Sequence, residues 1–501
     1  MSIHGTAAAR ASVYALVLAA APFFTFPGIA SSKDHASTHP PRPRSRALRA
    51  IDSTQLVPGI ARDRVIAPAS LIAALASVHR KIPSFSRQTK LACSACHYQF
   101  PQLTPFGRLF KLNGYTLTGL ETIGQPADTG SETLKLAPIP PASAMLVTSL
   151  TNTARAIPET QNNTASFPQQ LSLFLSGQVT PKVGAFTQFT YSAPDGKLAI
   201  DNVDLRYATH TTLGARDLLL GLTVHNNPTV QDVWNSTPAW GYPFISSEAA
   251  PSPIASPIID GTLSQQVVGV GAYSLWGNLL YTELTVYRSA PQQTAQPLDS
   301  TATNVTKGIV PYWRVALQHL GSSTYAMVGT YGLSSQLYPT GVSGPVNRYT
   351  DVAVDGQVEE KVGQGTVIGR ATFIHESQRL SGALAQSPPT AEFLTNTLET
   401  FRASASYVPT LRYGMSLAYF LTSGGTDAVL FAPAPVTGSG TGSPNSSGLS
   451  GEFTYNPWQN TRLGAQYVAY QKFNGARTNY DASGRNAANN NTLYLYLWLA
   501  F

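Results

Sequence analysis

From about residue 144 onward, apolar and polar residues alternate in segments of about ten, the period of two that belongs to strands. In the last segment Leu493, Leu495, Leu497, Leu499 and Phe501 share one face, and Tyr494, Tyr496 and Trp498 share the other. Val203, Leu205 and Tyr207 alternate with Asn202, Asp204 and Arg206. Val352, Val354 and Val358 alternate with Asp351, Asp355 and Glu359. A soluble sandwich gives the same alternation as a membrane barrel, so the period alone does not decide between them. Apolar residues turned toward lipid and charged residues turned inward account for every one of these segments.

The connections decide better than the period. Sixteen candidate strands fall near 143–153, 169–179, 182–193, 199–210, 215–225, 264–275, 277–288, 309–320, 323–334, 349–360, 364–376, 397–408, 411–422, 448–456, 460–471 and 492–501. Tight turns such as Pro181-Lys182, Trp276-Gly277 and Val362-Gly363 alternate with longer loops near 226–263, 289–308, 377–396, 423–447 and 472–491. Short turns on one side and long loops on the other match an outer-membrane barrel. The pattern predicts a mainly β fold: a roughly 16-stranded antiparallel transmembrane outer-membrane β-barrel over 141–501. An even strand number returns both chain ends to the periplasmic side and points the long loops outward. The aromatic terminus, Phe501, fits a final barrel strand.

Composition agrees. Charged residues are 12% of the chain, about half the usual globular share. Hydrophobic residues make up 43%, which excludes a disordered chain. The net charge of +7 is modest for 501 residues and is concentrated around 42–49, so no nucleic-acid partner is expected. Residues 1–30 read as a signal peptide, with Arg10 before an apolar run and Gly28-Ile29-Ala30 as a cleavage site. Residues 31–64 read as a flexible tether rich in Ser, His, Pro and Arg. A small segment at 65–140 follows, with Leu71, Ile72, Leu75 and Val78 at helical spacing.

That segment holds both cysteines of the protein, in Cys93-Ser94-Ala95-Cys96-His97. The pattern C-x-x-C-H is that of covalent c-type haem attachment. Two thiols at this spacing can form thioethers to the two vinyl groups of one haem, and His97 then supplies the proximal axial nitrogen. A zinc site needs four ligands, and no second cysteine pair exists. A redox dithiol does not require the histidine. One covalently bound haem c is therefore the expected cofactor. Phe100, Phe106, Phe110 and Tyr115 are expected around the macrocycle, and Arg108 and Lys111 near its propionates. The sixth ligand is open: His79 and Met145 are the nearest candidates, and a vacant position is the third option. Pro101 and Pro105 are expected to break regular structure, leaving one helical turn at 109–115. Asp232, Glu248, Asp260, Glu376, Asp427 and Asp481 lie in or beside the long loops and could offer hard oxygen ligands.

The motif and its flank, Pro105-Phe106-Gly107-Arg108-x-Phe110-Lys111-Leu112-x-Gly114-Tyr115, resemble the fused monohaem cytochrome–porins, the outer-membrane cytochromes of iron-oxidising bacteria. The resemblance implies a protein of the bacterial outer membrane, with the haem segment on the periplasmic side or in the lumen. It implies an Fe(II)-oxidising electron-transfer oxidoreductase. Electrons would come from extracellular ferrous iron and pass to a periplasmic c-type cytochrome or copper protein. The alternatives are a haem-plugged diffusion porin, a conduit for a donor other than iron, and a soluble periplasmic cytochrome with a sandwich domain.

Overall fold

A computed structural model describes residues 83–117 and 141–501, apart from 161, 193–195, 290–303 and 342. The expected signal peptide, the tether, the helical pattern at 71–78 and His79 lie outside the described residues.

Sixteen long strands and one two-residue strand form a single closed antiparallel sheet. In chain order they are β1 (Ala142–Thr153), β2 (Thr164–Thr180), β3 (Val183–Ser192), β4 (Lys197–Leu213), β5 (Arg216–His225), β6 (Val267–Trp276), β7 (Leu280–Ser289), β8 (Val305–Thr306) and β9 (Val310–Leu320). They continue as β10 (Thr324–Tyr338), β11 (Asn347–Val362), β12 (Gly365–Arg379), β13 (Thr395–Thr410), β14 (Tyr413–Gly424), β15 (Ser446–Trp458), β16 (Thr461–Lys472) and β17 (Thr492–Ala500). β1 pairs with both β2 and β17, which closes the barrel and leaves no edge. β8 and β9 both pair with β10, so they share one place, and the barrel has the sixteen positions that the pattern predicts. β8 is too short to carry a periodic signal.

The faces also follow the pattern. Leu205, Val352, Val354, Leu493 and Leu495 are exposed on the outside. Asp204, Arg206, Asp351, Glu359, Tyr494 and Trp498 are buried inside. No helix among the described residues is long and apolar enough to cross a membrane. The crossing is made by strands, whose backbone groups are all satisfied within a closed barrel. Connections of two or three residues at 181–182, 214–215, 277–279, 321–323, 363–364, 411–412 and 459–460 lie at one end, with the start of β1 and the end of β17. The longer connections lie at the other end.

One long connection departs from expectation. Residues 226–266, which include the predicted outward loop 226–263, fold into the lumen. Ser236 bonds Asp355, the Ser247 Oγ lies 2.6 Å from Thr151 Oγ1, and the Ile258 amide donates to Glu376. Val230, Val233, Trp234, Ile259 and Leu263 are each at most 1% exposed. A loop with that many large apolar side chains is more stable packed inside than in water.

The N-terminal described segment also lies in the lumen, at the short-turn end. It carries α1 (Ser84–Thr89), α2 (Cys93–Cys96) and α3 (Pro105–Leu112). Pro105 does not break structure here. It opens α3 at the first helical position, where its missing N–H costs nothing, and Thr104 caps the helix by accepting from the Gly107 amide at 3.1 Å. A one-turn α4 (Ser381–Leu384) lies in a connection at the long-loop end.

Candidate functional site

The Cys93–His97 motif begins on the single turn α2. The His97 amide closes this turn onto the Cys93 carbonyl at 2.9 Å. Residues 97–104 then double back: Tyr98 N donates to Gln102 O at 3.0 Å, and Thr104 N to Cys96 O at 2.9 Å. Thr104 Oγ1 adds a bond to Ala95 O at 2.7 Å. This brings α3 directly against the motif. A Cβ on Gly107 would lie 2.2 Å from the Cys96 carbonyl oxygen, so only glycine permits the approach.

The barrel wall fixes this segment on several sides. Arg108 forks onto Glu359 of β11 at 2.7 and 3.0 Å, and Tyr98 donates to the same carboxylate at 2.9 Å. Tyr115 donates to Asp204 of β4 at 2.6 Å. Tyr273 of β6 donates to the Leu112 carbonyl at 2.6 Å, and Arg462 of β16 to the Phe100 carbonyl at 2.7 Å. Thr454 of β15 donates to Gln99 at 2.9 Å. Wall glycines make room: a Cβ at Gly184 would meet the Gly114 carbonyl at 2.1 Å, and one at Gly414 would meet the Gln99 amide at 2.4 Å.

Between segment and wall lies a cavity of about 1580 Å³, its open mouth included. Cys93, Cys96 and His97 line it, as do Phe100, Phe110, Lys111, Tyr115 and Met145. Two groups of rings meet there. Phe85 packs on Phe110 at 5.2 Å and on Tyr115 at 5.5 Å, and Tyr115 continues to Phe186 of β3 at 6.3 Å. His97 lies 5.3 Å from Phe100, which stacks on Trp498 of β17 at 5.3 Å.

Two expected pocket residues are placed elsewhere. Phe106 is 40% exposed and does not line the cavity. Arg108 is committed to Glu359 and does not line it either. Gly107, Phe110 and Lys111 do, at the i, i+3, i+4 spacing of one helical face, and residues 106 and 108 point away from that face. Met145 is a lumen-facing lining residue, 7% exposed, rather than a lipid-facing one. Lining residues that the sequence did not assign to the site are Phe174, Phe186, Trp240, Arg462 and Trp498. Strand parity was the available signal for the wall residues among them.

The local chemistry suits a haem better than zinc or a dithiol. Burial, and then the neighbouring Cys93, push the Cys96 thiol up to about 11, the opposite of what a thiolate ligand or redox nucleophile needs. Burial pushes His97 down to about 4, against the carbonyls of Pro101 and Gln102, so its imidazole is neutral and able to ligate a metal. Its Nδ1 is buried without a hydrogen-bond partner. Lys111 Nζ donates to the carbonyls of Val230 and Asp232 at 2.7 and 2.8 Å, and Arg462 stands over the Trp498 ring. These two cations are the lining groups suited to carboxylates of a bound group. Among the described residues no group of three His, Cys, Asp or Glu gathers to hold a metal ion. Of the loop carboxylates, Asp232, Asp427 and Asp481 accept from nearby backbone amides, Asp260 pairs with Arg402, Glu248 accepts from Gln170, and Glu376 faces the lumen.

The closed barrel, apolar outside and polar within, is a transmembrane barrel of the outer-membrane type. No protein-family model matches the chain, and no curated protein matches it in sequence. Among solved structures it is similar to the outer membrane channel DcaP of Acinetobacter baumannii (13% identity, TM-score 0.41, 72% of this chain and 96% of that one). It is also similar to OmpT, an outer membrane protein of Vibrio cholerae (10% identity, TM-score 0.38, 72% and 96%). A third likeness is to an anion-selective porin from Comamonas acidovorans (9% identity, TM-score 0.41, 72% and 98%).

Proposed function

We propose that this protein is an outer-membrane c-type cytochrome fused to a porin-like barrel, which takes electrons from extracellular ferrous iron and passes them through one haem to periplasmic carriers. The observation that carries the reading is the haem-attachment motif lining a ring-walled cavity inside a closed barrel. A hydrocarbon layer of about 30 Å blocks electrons unless a redox centre shortens the path. Bound haem c would supply that one-electron centre, and the chain's own residues would set its properties.

In this reading Cys93 and Cys96 carry the thioethers, and His97 gives the proximal nitrogen. Met145 is the candidate sixth ligand among the described residues; its thioether would raise the potential, as an acceptor of electrons from iron requires. Lys111 and Arg462 hold the propionates. Phe85, Phe100, Phe110, Tyr115 and Trp498 keep water from the ring and lower the local dielectric. The bonds from the lumen segment to β4, β11 and β15 favour a plugged conduit over an open diffusion pore.

The test is stopped-flow visible spectroscopy on detergent-purified, air-oxidised protein mixed with Fe(II). Rapid growth of a sharp reduced c-type band is expected. A haem that dithionite reduces and Fe(II) does not would remove iron as the donor. No haem at all would remove the cytochrome and leave a plugged porin.

A further inference from the structure

We propose that the outer face of β10–β12, at the long-loop end, binds the phosphates of a lipid headgroup, so that one phosphorylated lipid of that leaflet is held against the barrel. The residues lie in one cross-strand row. The Lys307 amide donates to the Gln336 carbonyl at 2.7 Å, Gln336 is the register partner of Arg348, and Arg348 is the register partner of Arg379. Arg348 and Arg379 are exposed and share the outward parity of Val352 and Phe373. Lys307 is exposed beside them, and Arg288 is exposed at the same end of β7.

Two arginines directly opposite each other destabilise a sheet, and an anion between them removes the cost. Among the described residues no carboxylate pairs with Lys307, Arg288, Arg348 or Arg379. The outward pair of His375 with Glu399 lies nearer the middle of the strands, and Glu392 accepts from the Ala428 amide at 3.2 Å. The order of rows with depth is a second observation. Ser334, Thr350, Ser377 and Thr397 follow as successive register partners, one outward position below the cations. The exposed apolar surface then begins at Val352 and continues with Val354 and Phe373. Cations, then hydroxyls, then hydrocarbon is the order of a lipid's phosphate, its polar linkage and its acyl chains. The same strands do not repeat this at the short-turn end, where the outward partners are Thr324 and Glu360, bonded to each other, and Val367.

Guanidinium forks match phosphate oxygens, which favours phosphate over other anions. Lys307 and Arg379 stand three strand spacings apart, roughly 14 Å, which suits a headgroup with more than one phosphate. Long loops of an outer-membrane barrel face outward, so the leaflet is the outer one. The inference rests on the barrel and not on a haem.

The probe is diphosphoryl lipid A, titrated into full-length protein in detergent, with bound lipid counted by native mass spectrometry. One tightly held lipid per chain is expected. Lipid A stripped of both phosphates should bind the unaltered chain at least roughly tenfold more weakly. The double variant Arg348→Gln/Arg379→Gln should lose roughly thirtyfold in affinity. Arg412→Gln, which removes an exposed cation at the short-turn end, should bind as the unaltered chain does. The stripped lipid needs no variant, so the test stands even where the double variant folds poorly. Equal binding of the two lipids, or full affinity in a folded double variant, overturns the patch. Displacement of the lipid by an equal concentration of inorganic phosphate would make it a site for the free ion and overturn the lipid as its occupant.

Discussion

At the scale of single residues, contact decides more than identity. Gly107 is conspicuous because its neighbour is the Cys96 carbonyl, not because its own conformation needs glycine. Gly107→Ala should destabilise the protein by about 1–3 kcal/mol through overpacking. Gly369→Ala, with nothing within 4 Å, should change little. Equal guanidinium midpoints for the two variants would contradict the packing of α3 on the motif. Lys111 offers a pH signature. Burial pushes it down to about 7 from 10.5, so between those values the unfolded chain binds more protons than the folded one. Stability of a haem-free Cys93→Ser/Cys96→Ser variant should therefore rise from pH 7 toward pH 10, and a fall across that window would count against the buried ammonium. A carboxylate brought into the cavity would pull Lys111 back up and flatten the rise. Spacing alone singled out Cys93, Cys96 and His97, and the three line one cavity. Phe106 and Arg108 were not, because the face α3 turns to the cavity is set by where Pro105 starts the helix.

At the scale of elements, strand parity carried most of the reading. Leu205 out and Asp204 in follow from a period of two, and the same parity places Trp498 and Met145 inside. What parity cannot show is which inward groups meet a plug. Glu359 reads as an ordinary inward charge, yet it anchors Arg108 and Tyr98 of the lumen segment. Glu359→Ala should leave the Arg108 guanidinium buried and unpaired, a loss of about 3–5 kcal/mol. Replacing both, as Arg108→Met with Glu359→Leu, should cost far less. Chemical denaturation of the two variants measures this, and equal losses would mean that the pair is not a buried ion pair. The segment 226–266 was misplaced because its length resembles that of an outer loop. Its apolar content, in Val230, Val233, Trp234 and Ile259, was the signal that it needed an interior.

At the scale of the whole molecule, the barrel supplies a wall and the two inserted segments fill it. The lumen segment 83–117 enters from the short-turn end, and 226–266 enters from the other. Between segment 83–117 and the wall lies the cavity that Cys93, Cys96 and His97 line. Closure was predictable from sixteen alternating segments and the rhythm of turns. The filling was not, because contacts such as Gln99 with Thr454 join residues hundreds of positions apart with no local signature.

The central claim is that electrons cross through a single centre fixed by Cys93, Cys96 and His97. The most direct measurement places the protein in liposomes, Fe(II) outside and an oxidised soluble cytochrome c trapped inside. The account predicts reduction of the trapped cytochrome with the unaltered protein and none with Cys93→Ser/Cys96→Ser. No reduction with the unaltered protein, or equal reduction with both, would contradict it.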